Sequence, residues 1–210
     1  MHIITRIQCG NGNCFCVEDD GNAILIDTSR AAYGEKILNA LKGKNIRLIV
    51  LTHGHVDHIQ NAAILSKALN APIAMHKADY GLIRNNMEER MSADTILGKL
   101  MLGFIKNSLK YGKIDLFEPD VFLLDGDALN DYGVKAKIIG LPGHTKGSIG
   151  IVIGDSDIFV GDALMNLIHP TKSLLYGNRA DMLRSVEKIG AFSSATVHFG
   201  HGKSVRRRGG

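Results

Sequence analysis

The sequence is poor in the features that would place it in several broad classes. Three cysteines among 210 residues, Cys9, Cys14 and Cys16, are too few and too clustered for a disulfide framework. They fit a reducing compartment, and Cys14 and Cys16, two apart on one face of an extended stretch, read as small buried apolar side chains. Tryptophan is absent and aromatic residues make up 6%, which leaves little stacking surface for nucleic acid. No window holds the roughly 18 uninterrupted apolar residues of a spanning helix. The opening MHIITRIQCGNG lacks the charged-then-apolar pattern of a secretory signal, so a cytoplasmic protein with no membrane partner is expected. Charge of one sign is scarce too. The formal net charge of +4 is accounted for by Lys203, Arg206, Arg207 and Arg208, close together in the last eight residues, and the remaining 202 are balanced. No basic field spans the body to recruit nucleic acid, and the stretch 203–210 reads as a solvated, flexible end. Short-period repeats and low-complexity segments are also lacking.

What is present is a soluble composition, 45% hydrophobic and 22% charged, in a length that suits one domain over 1–210. HIITRIQ, CFCVED and AILIDT are short β-rich runs separated by Gly10-Asn11-Gly12-Asn13 and Asp20-Gly21-Asn22, the pattern of an antiparallel meander. A helix near 33–41 follows. IRLIVL, from Ile46, is apolar but for Arg47, a run of the kind covered on both faces, ending at Thr52. Ala62, Leu65 and Leu69 mark an amphipathic helix and Pro72 to His76 another strand. From 77 to 117 strand character is lost, and Leu97, Leu100, Met101, Phe104 and Ile105 repeat at helical spacing, a helical insertion. VFLL, VKAKIIGL, SIGIVIG and DIFVG resume the strands before a helix near 179–189 and a last strand, TVHFG. Two strand sets, each covered by helices, predict two packed sheets with helices outside.

Three of the nine histidines, His53, His55 and His58, fall within six residues in Thr52-His53-Gly54-His55-Val56-Asp57-His58. Imidazole and carboxylate are ligands suited to zinc, iron or manganese, and one loop leaving a buried strand can aim alternate side chains at two adjacent metals. His144 lies in Gly143-His144-Thr145, Asp162 follows Gly161, and His201 sits between Gly200 and Gly202. Each follows a predicted strand or turn, and glycine lets the backbone come close to a site. Of the isolated histidines, His76 and His198 read as structural, while His169 lies seven residues after Asp162 in a loop placed to overhang the site.

These motifs, H-x-H-x-D-H, then Gly-His-Thr, Gly-Asp after a strand and a final Gly-His, resemble the metallo-β-lactamase superfamily from His53 to His201. The resemblance implies an α/β (α+β) four-layer αββα sandwich with a dinuclear site at one edge of the sheets. It also implies that His53, His55 and His144 hold the first metal, Asp57, His58 and His201 the second, and that Asp162 bridges both. Asp27, at the end of AILIDT, matches an aspartate behind the ligands. The implied cofactor is a pair of divalent ions, zinc by default, with iron or manganese also held. Two such ions lower the pKa of a shared water, and Asp57 would orient the resulting hydroxide for attack on a polarised carbonyl. The ions outweigh two carboxylates and one hydroxide, which favours a small anionic substrate.

Within the superfamily, Asp162 is unlike true β-lactamases, which place cysteine or serine in the comparable region. The full seven-residue set is similar to glyoxalase II and acyl-homoserine lactonases, which implies ester, thioester or lactone hydrolysis. Glyoxalase II has a C-terminal helical domain, and nine residues follow His201. Alternative readings are a persulfide dioxygenase holding one iron by part of the set, and a phosphodiesterase or ribonuclease. Flavodiiron oxygen reductases fit less well because they have glutamate where His55 stands. Asn166, His169 and Tyr176 are candidate substrate contacts. The stripe in 77–117 is a lid over the site, a homodimer contact or plain packing.

Overall fold

The computed structural model describes residues 2–207, apart from the side chains at 107–109 and 111. Strands β1 (Ile3–Cys9), β2 (Gly12–Asp19) and β3 (Asn22–Ile26) form the expected antiparallel meander. Helix α1 (Gly34–Ala40) leads into β4 (Ile46–Val50), which lies parallel to β3. Helices α2 (Val56–Ile59) and α3 (Ala62–Leu69) connect to β5 (Ile73–Met75). Helices α4 (Tyr80–Arg84) and α5 (Ile96–Tyr111) then precede β6 (Val121–Phe122), and this six-stranded sheet runs in order β1-β2-β3-β4-β5-β6. The second half holds β7 (Lys137–Gly140), β8 (Ile149–Ile153), β9 (Asp157–Phe159), a small hairpin of β10 (Leu164–Met165) and β11 (Thr171–Lys172), α6 (Arg179–Gly190), β12 (Thr196–His198) and β13 (Val205–Arg206). Its five-stranded sheet runs β13-β12-β9-β8-β7.

Strand β3 explains the layering. Ala23 and Leu25 pack with Ile37 of α1 and Leu65 of α3 in one core. Ile24 and Ile26 point the other way, to Ile138, Ile151 and Phe159 of the second sheet. Alternate side chains leave opposite faces of a strand, so an uninterrupted apolar run is what two covered faces demand. A third core joins Ile139, Val152, Ile158 and Val197 to Ile189 of α6. Helices, sheet, sheet and helix therefore stack as four layers. Among the described residues no helix is long and apolar enough to cross a membrane.

Two expectations need correction. Residues 77–117 contain helices, and Ile83, Ile114 and Phe117 pack with the first core, but among the described side chains of α5 none joins the three cores: Leu97, Leu100 and Phe104 are 55%, 59% and 82% exposed. The described part of that stripe is not plain core packing. The basic stretch is not a loose end as far as it is described, since Val205 pairs with Val197 and the Arg207 guanidinium donates to the Ile189 carbonyl at 2.7 Å. That bond adds a charged donor to a carbonyl of the last turn of α6, which also accepts from the Phe192 amide at 3.2 Å, and sets a cation at the helix's negative pole. Residues 208–210 lie outside the described residues.

Candidate metal centre

Every residue of the seven-member set lies in a segment that leaves a strand on one edge of the sandwich. His53 and His55 follow β4, Asp57 and His58 open α2, His144 follows β7, Asp162 follows β9 and His201 follows β12. Ligand atoms fall into three groups whose members lie within 4.8 Å of one another: His53, His55 and His144; His53, His58 and Asp162; Asp57, His58 and His201. Asp162 stands between the sets, with Oδ1 3.5 Å from His58 Nε2, and Oδ2 3.7 Å from His144 Nε2 and 3.4 Å from His201 Nε2.

The outer hydrogen bonds decide which face of each ring looks inward. His58 Nδ1 meets Asp27 Oδ2 at 2.8 Å, His144 Nδ1 meets the Leu175 carbonyl at 2.9 Å, and His201 Nδ1 meets the Asn11 carbonyl at 3.1 Å. These partners only accept, so Nδ1 carries the proton in each ring. A neutral ring then presents an Nε2 lone pair to the centre. His53 follows the same rule through Thr52, whose hydroxyl donates to Asp27 and can accept from His53 Nδ1 at 3.2 Å. Inward, acceptor faces acceptor: Nε2 of His201 lies 3.5 Å from Asp57 Oδ2. Nε2 of His53, His55 and His58, and Oδ1 of Asp162, are buried with no hydrogen-bond partner. His55 instead turns Nδ1 to His144 Nε2 at 3.0 Å. Buried polar atoms left without partners among such closely grouped ligand atoms are what cation ligands require, and the donor set of imidazoles and carboxylates suits a divalent transition metal.

The charges respond to the same crowding. Burial lowers His53 far below the usual imidazole range and His55 to about 3, each helped by neighbouring rings. Burial also opposes charge on His58, but Asp27 and Asp162 outweigh it and raise that ring to about 10. His201 rises to about 9 against burial, chiefly through Asp162. For Asp57 and Asp162 burial pushes the carboxyl up, and the His58 and His201 rings more than reverse it. By themselves the residues reconcile the cluster only by sharing protons, which a bound cation would displace.

The support behind the ligands is specific. Asp27 is buried at φ 60°, an uncommon left-handed conformation for a non-glycine residue, and its carboxylate also accepts from the Thr52 amide at 2.8 Å. Gly200 has no room for a side chain: a Cβ there would stand 2.5 Å from Asp162 Oδ1 and 2.8 Å from His58 Cε1. Two supporting residues left no sequence motif. Asp79, fully buried, accepts from the amides of Gly54 at 2.8 Å and Gly147 at 2.6 Å and from Thr145 Oγ1 at 2.7 Å, tying the His53–His55 loop to the His144 loop. Asn86 accepts from the Val56 amide at 2.6 Å and donates to the Gly54 carbonyl at 3.0 Å.

A cavity of about 360 Å³ opens over the centre, lined at its floor by His55, Asp57, His144, Asp162 and His201. Asn166, His169 and Tyr176, expected as substrate contacts, are not among its lining residues. Asn166 donates to the Lys203 carbonyl at 2.7 Å, the Tyr176 hydroxyl is engaged by Asp94, and His169 is exposed. The lining instead includes Arg30 and Tyr33, which the motif spacing did not single out, and the insertion's Met91, Met101 and Phe104.

Residues 7–201 match the sequence model of the metallo-beta-lactamase superfamily. The chain belongs to that superfamily. As a metallo-beta-lactamase superfamily protein it is 30% identical over 180 residues to an uncharacterized protein of Aquifex aeolicus, covering 84% of this chain and 77% of that one. It is 29% identical to hydroxyacylglutathione hydrolase GloC of Haemophilus influenzae over 157 residues, 72% of this chain and 66% of that one. Among solved structures, the superfamily fold is matched by the B3 metallo-beta-lactamase BLEG-1 with a TM-score of 0.73 at 20% identity, covering 98% and 94% of the two chains. TTHA1623 in a di-iron-bound form matches with a TM-score of 0.67 at 22% identity, covering 97% and 94%.

Proposed function

We propose that the chain is a metal-dependent hydrolase cleaving an ester, thioester or lactone carbonyl of a small anionic metabolite. The observation that carries this reading is the gathering of seven imidazole and carboxylate side chains in three groups with ligand atoms within 4.8 Å of one another, several of them buried without a hydrogen-bond partner. His53, His55 and His144 would hold one divalent ion and Asp57, His58 and His201 a second, with Asp162 between them and zinc as the first candidate. Ions bound there would supply Lewis acidity and bring the pKa of a coordinated water toward neutrality. Asp57, which lines the cavity, would be placed to orient such a water and accept its proton. Asp27 keeps His58 in one tautomer, and the Leu175 carbonyl does the same for His144. A relative named as a hydroxyacylglutathione hydrolase supports acyl transfer to water over phosphodiester cleavage.

The test is elemental analysis of protein purified without added metal, beside hydrolysis of thioester, lactone, phosphodiester and β-lactam substrates. Iron belongs in the analysis because a protein of the same fold was crystallised with two irons. The expected result is about two divalent ions per chain with ester or thioester turnover. A single iron without hydrolysis would overturn the reading in favour of a dioxygenase, and absence of metal would overturn the ligand assignment itself.

A further inference from the structure

The cavity over the centre has two unlike walls. One is built from the β1–β2 turn and the segment after β3, and its lining residues include Asn11, Ser29, Arg30 and Tyr33. Arg30 is the only lysine or arginine among the described residues that line the cavity. Its backbone is pinned: Asn61 Nδ2 donates to the carbonyls of Thr28 at 2.8 Å and Arg30 at 2.7 Å, and Gln60 accepts from the Ala31 amide at 3.0 Å. Its guanidinium makes no hydrogen bond among the described residues, and its nearest charge is Asp57 Oδ2 at 3.9 Å. A fixed stem whose half-exposed head makes no hydrogen bond and only a long ion pair to Asp57 beside the reacting centre is a placement for an incoming anion.

The opposite wall is apolar. Met91, Met101, Phe104, Ile105, Leu167 and Leu175 line it. Phe104 is 82% and Leu167 51% exposed, so large apolar surface stands at the rim with no core to join. The two walls flank different parts of the centre. Leu175 bonds His144 through its carbonyl and so borders the His53, His55 and His144 group, whereas Arg30 borders Asp57 and the His58 and His201 group.

We infer that the substrate is amphiphilic: an ester or thioester whose apolar acyl chain lies against the α5 wall and whose leaving group carries a carboxylate held by Arg30. This rests on the hydrolase reading above. A carboxylate fits better than a phosphate dianion, because one guanidinium balances one negative charge and its fork matches a carboxylate bidentately. A second negative charge would face Asp57. The volume of about 360 Å³ lies near the lower end of ordinary ligand pockets, which run from ~300 to 1,000 Å³, so the acyl chain is short and its end reaches the Phe104 rim.

The experiment compares hexanoyl and acetyl thioesters of mercaptoacetate, which is anionic, and of 2-mercaptoethanol, which is neutral, using wild-type, Arg30→Gln, Arg30→Lys and Phe104→Ala proteins loaded with the metal found by elemental analysis. Intrinsic reactivity cancels when each anionic-to-neutral ratio is compared between variants. Arg30→Gln should lower kcat/KM for the mercaptoacetate thioesters by about ten- to hundredfold, chiefly through KM, and far less for the neutral pair. Arg30→Lys should recover part of the loss, and Phe104→Ala should shrink the hexanoyl-to-acetyl ratio by about fourfold per lost methylene contact. Equal losses on both leaving groups, or no acyl preference in the wild type, would overturn the inference. Calorimetric binding of (hexylthio)acetate, a thioether that cannot be hydrolysed, separates this from the hydrolase reading. If no thioester turns over but Arg30→Gln still weakens that binding about tenfold or more, the hydrolase reading fails and the carboxylate site stands. Binding unaffected by Arg30→Gln refutes the site even in an active enzyme.

Discussion

Replacing Asp79 removes a carboxylate that lies outside the seven-member set yet holds two of its loops together. Three donors depend on it, the amides of Gly54 and Gly147 and the Thr145 hydroxyl, all at 2.6–2.8 Å around a fully buried group. A buried donor left without a partner costs about 1–3 kcal/mol. Asp79→Ala therefore should destabilise by about 3–5 kcal/mol once partial relaxation is allowed, a large share of a typical total of ~5–15 kcal/mol. In a chain of this size that is a fall in Tm of about 6–20 °C. Asp79→Asn keeps the shape and one acceptor oxygen but turns an amide donor toward another donor, so about 1–3 kcal/mol is expected. Burial raises the Asp79 carboxyl above its ordinary value, and the bonds from Thr145, Gly54 and Gly147 offset only part of that rise. The folded state thus holds this proton more tightly than the unfolded one. Its contribution is present below the unfolded pKa of about 3.9 and fades as pH rises through the folded value, and Asp79→Asn should lack that component. Urea and thermal unfolding followed by circular dichroism, with chelator present, read the stability, and competition with a chromophoric chelator reads metal affinity. Asp79→Ala within about 0.5 kcal/mol of wild type, or no worse than Asp79→Asn, would refute the reasoning.

Further outcomes follow from the same geometry. Asp27→Asn removes the acceptor that fixes the His58 tautomer and should weaken metal retention by about 10–100-fold, read by chelator competition, with smaller effects on folding. Arg207→Ala removes the charged donor to the Ile189 carbonyl at the end of α6 and should lower stability by about 1 kcal/mol, or Tm by roughly 2–4 °C, in a thermal melt. Burial holds His198 below the ordinary imidazole range although Asp157 opposes the shift, so the folded ring stays neutral where the unfolded one protonates. That contribution is present above about pH 6.5 and is lost as pH falls, and His198→Asn should flatten the slope of urea midpoints between about pH 7.5 and 5.5.

The legible part of the fold was the part whose physics is local. AILI and, past the exposed Arg47, LIV announce strands covered on both faces because neither run has a polar member, and both belong to central strands of the first sheet. Sequence reading overran where pairing ends without a change in composition: VKAKIIGL promised eight residues, and β7 keeps Lys137–Gly140 while Val134 and Ala136 remain buried outside it. Strands β10, β11 and β13 have two residues each, too short for any periodicity to register. The basic composition of 203–207 spoke of solvent, yet an arginine can pair along an edge strand and place its head on a helix end.

The same distinction separates the ligand set from what surrounds it. His53, His55, Asp57 and His58 stand out because four such residues in six positions have a spacing that can be read along the chain. Asp79, Asn86 and Arg30 are single residues whose partners lie 25, 30 and 27 positions away, at Gly54, Val56 and Asp57 respectively. No local pattern marks a buried aspartate that receives two distant amides, since its meaning arises only when β4, α4 and the β7–β8 loop are brought to one edge. Asn166, His169 and Tyr176 failed for the converse reason. Their position after Asp162 was right for an overhanging loop, but Asn166 spends its side chain on the Lys203 carbonyl and Tyr176 on Asp94, so the polar groups that looked available were already used in holding the loop itself. Availability, not proximity in sequence, decides what meets a substrate, and on that criterion the guanidinium of Arg30, with only a long ion pair to Asp57, outranks all three.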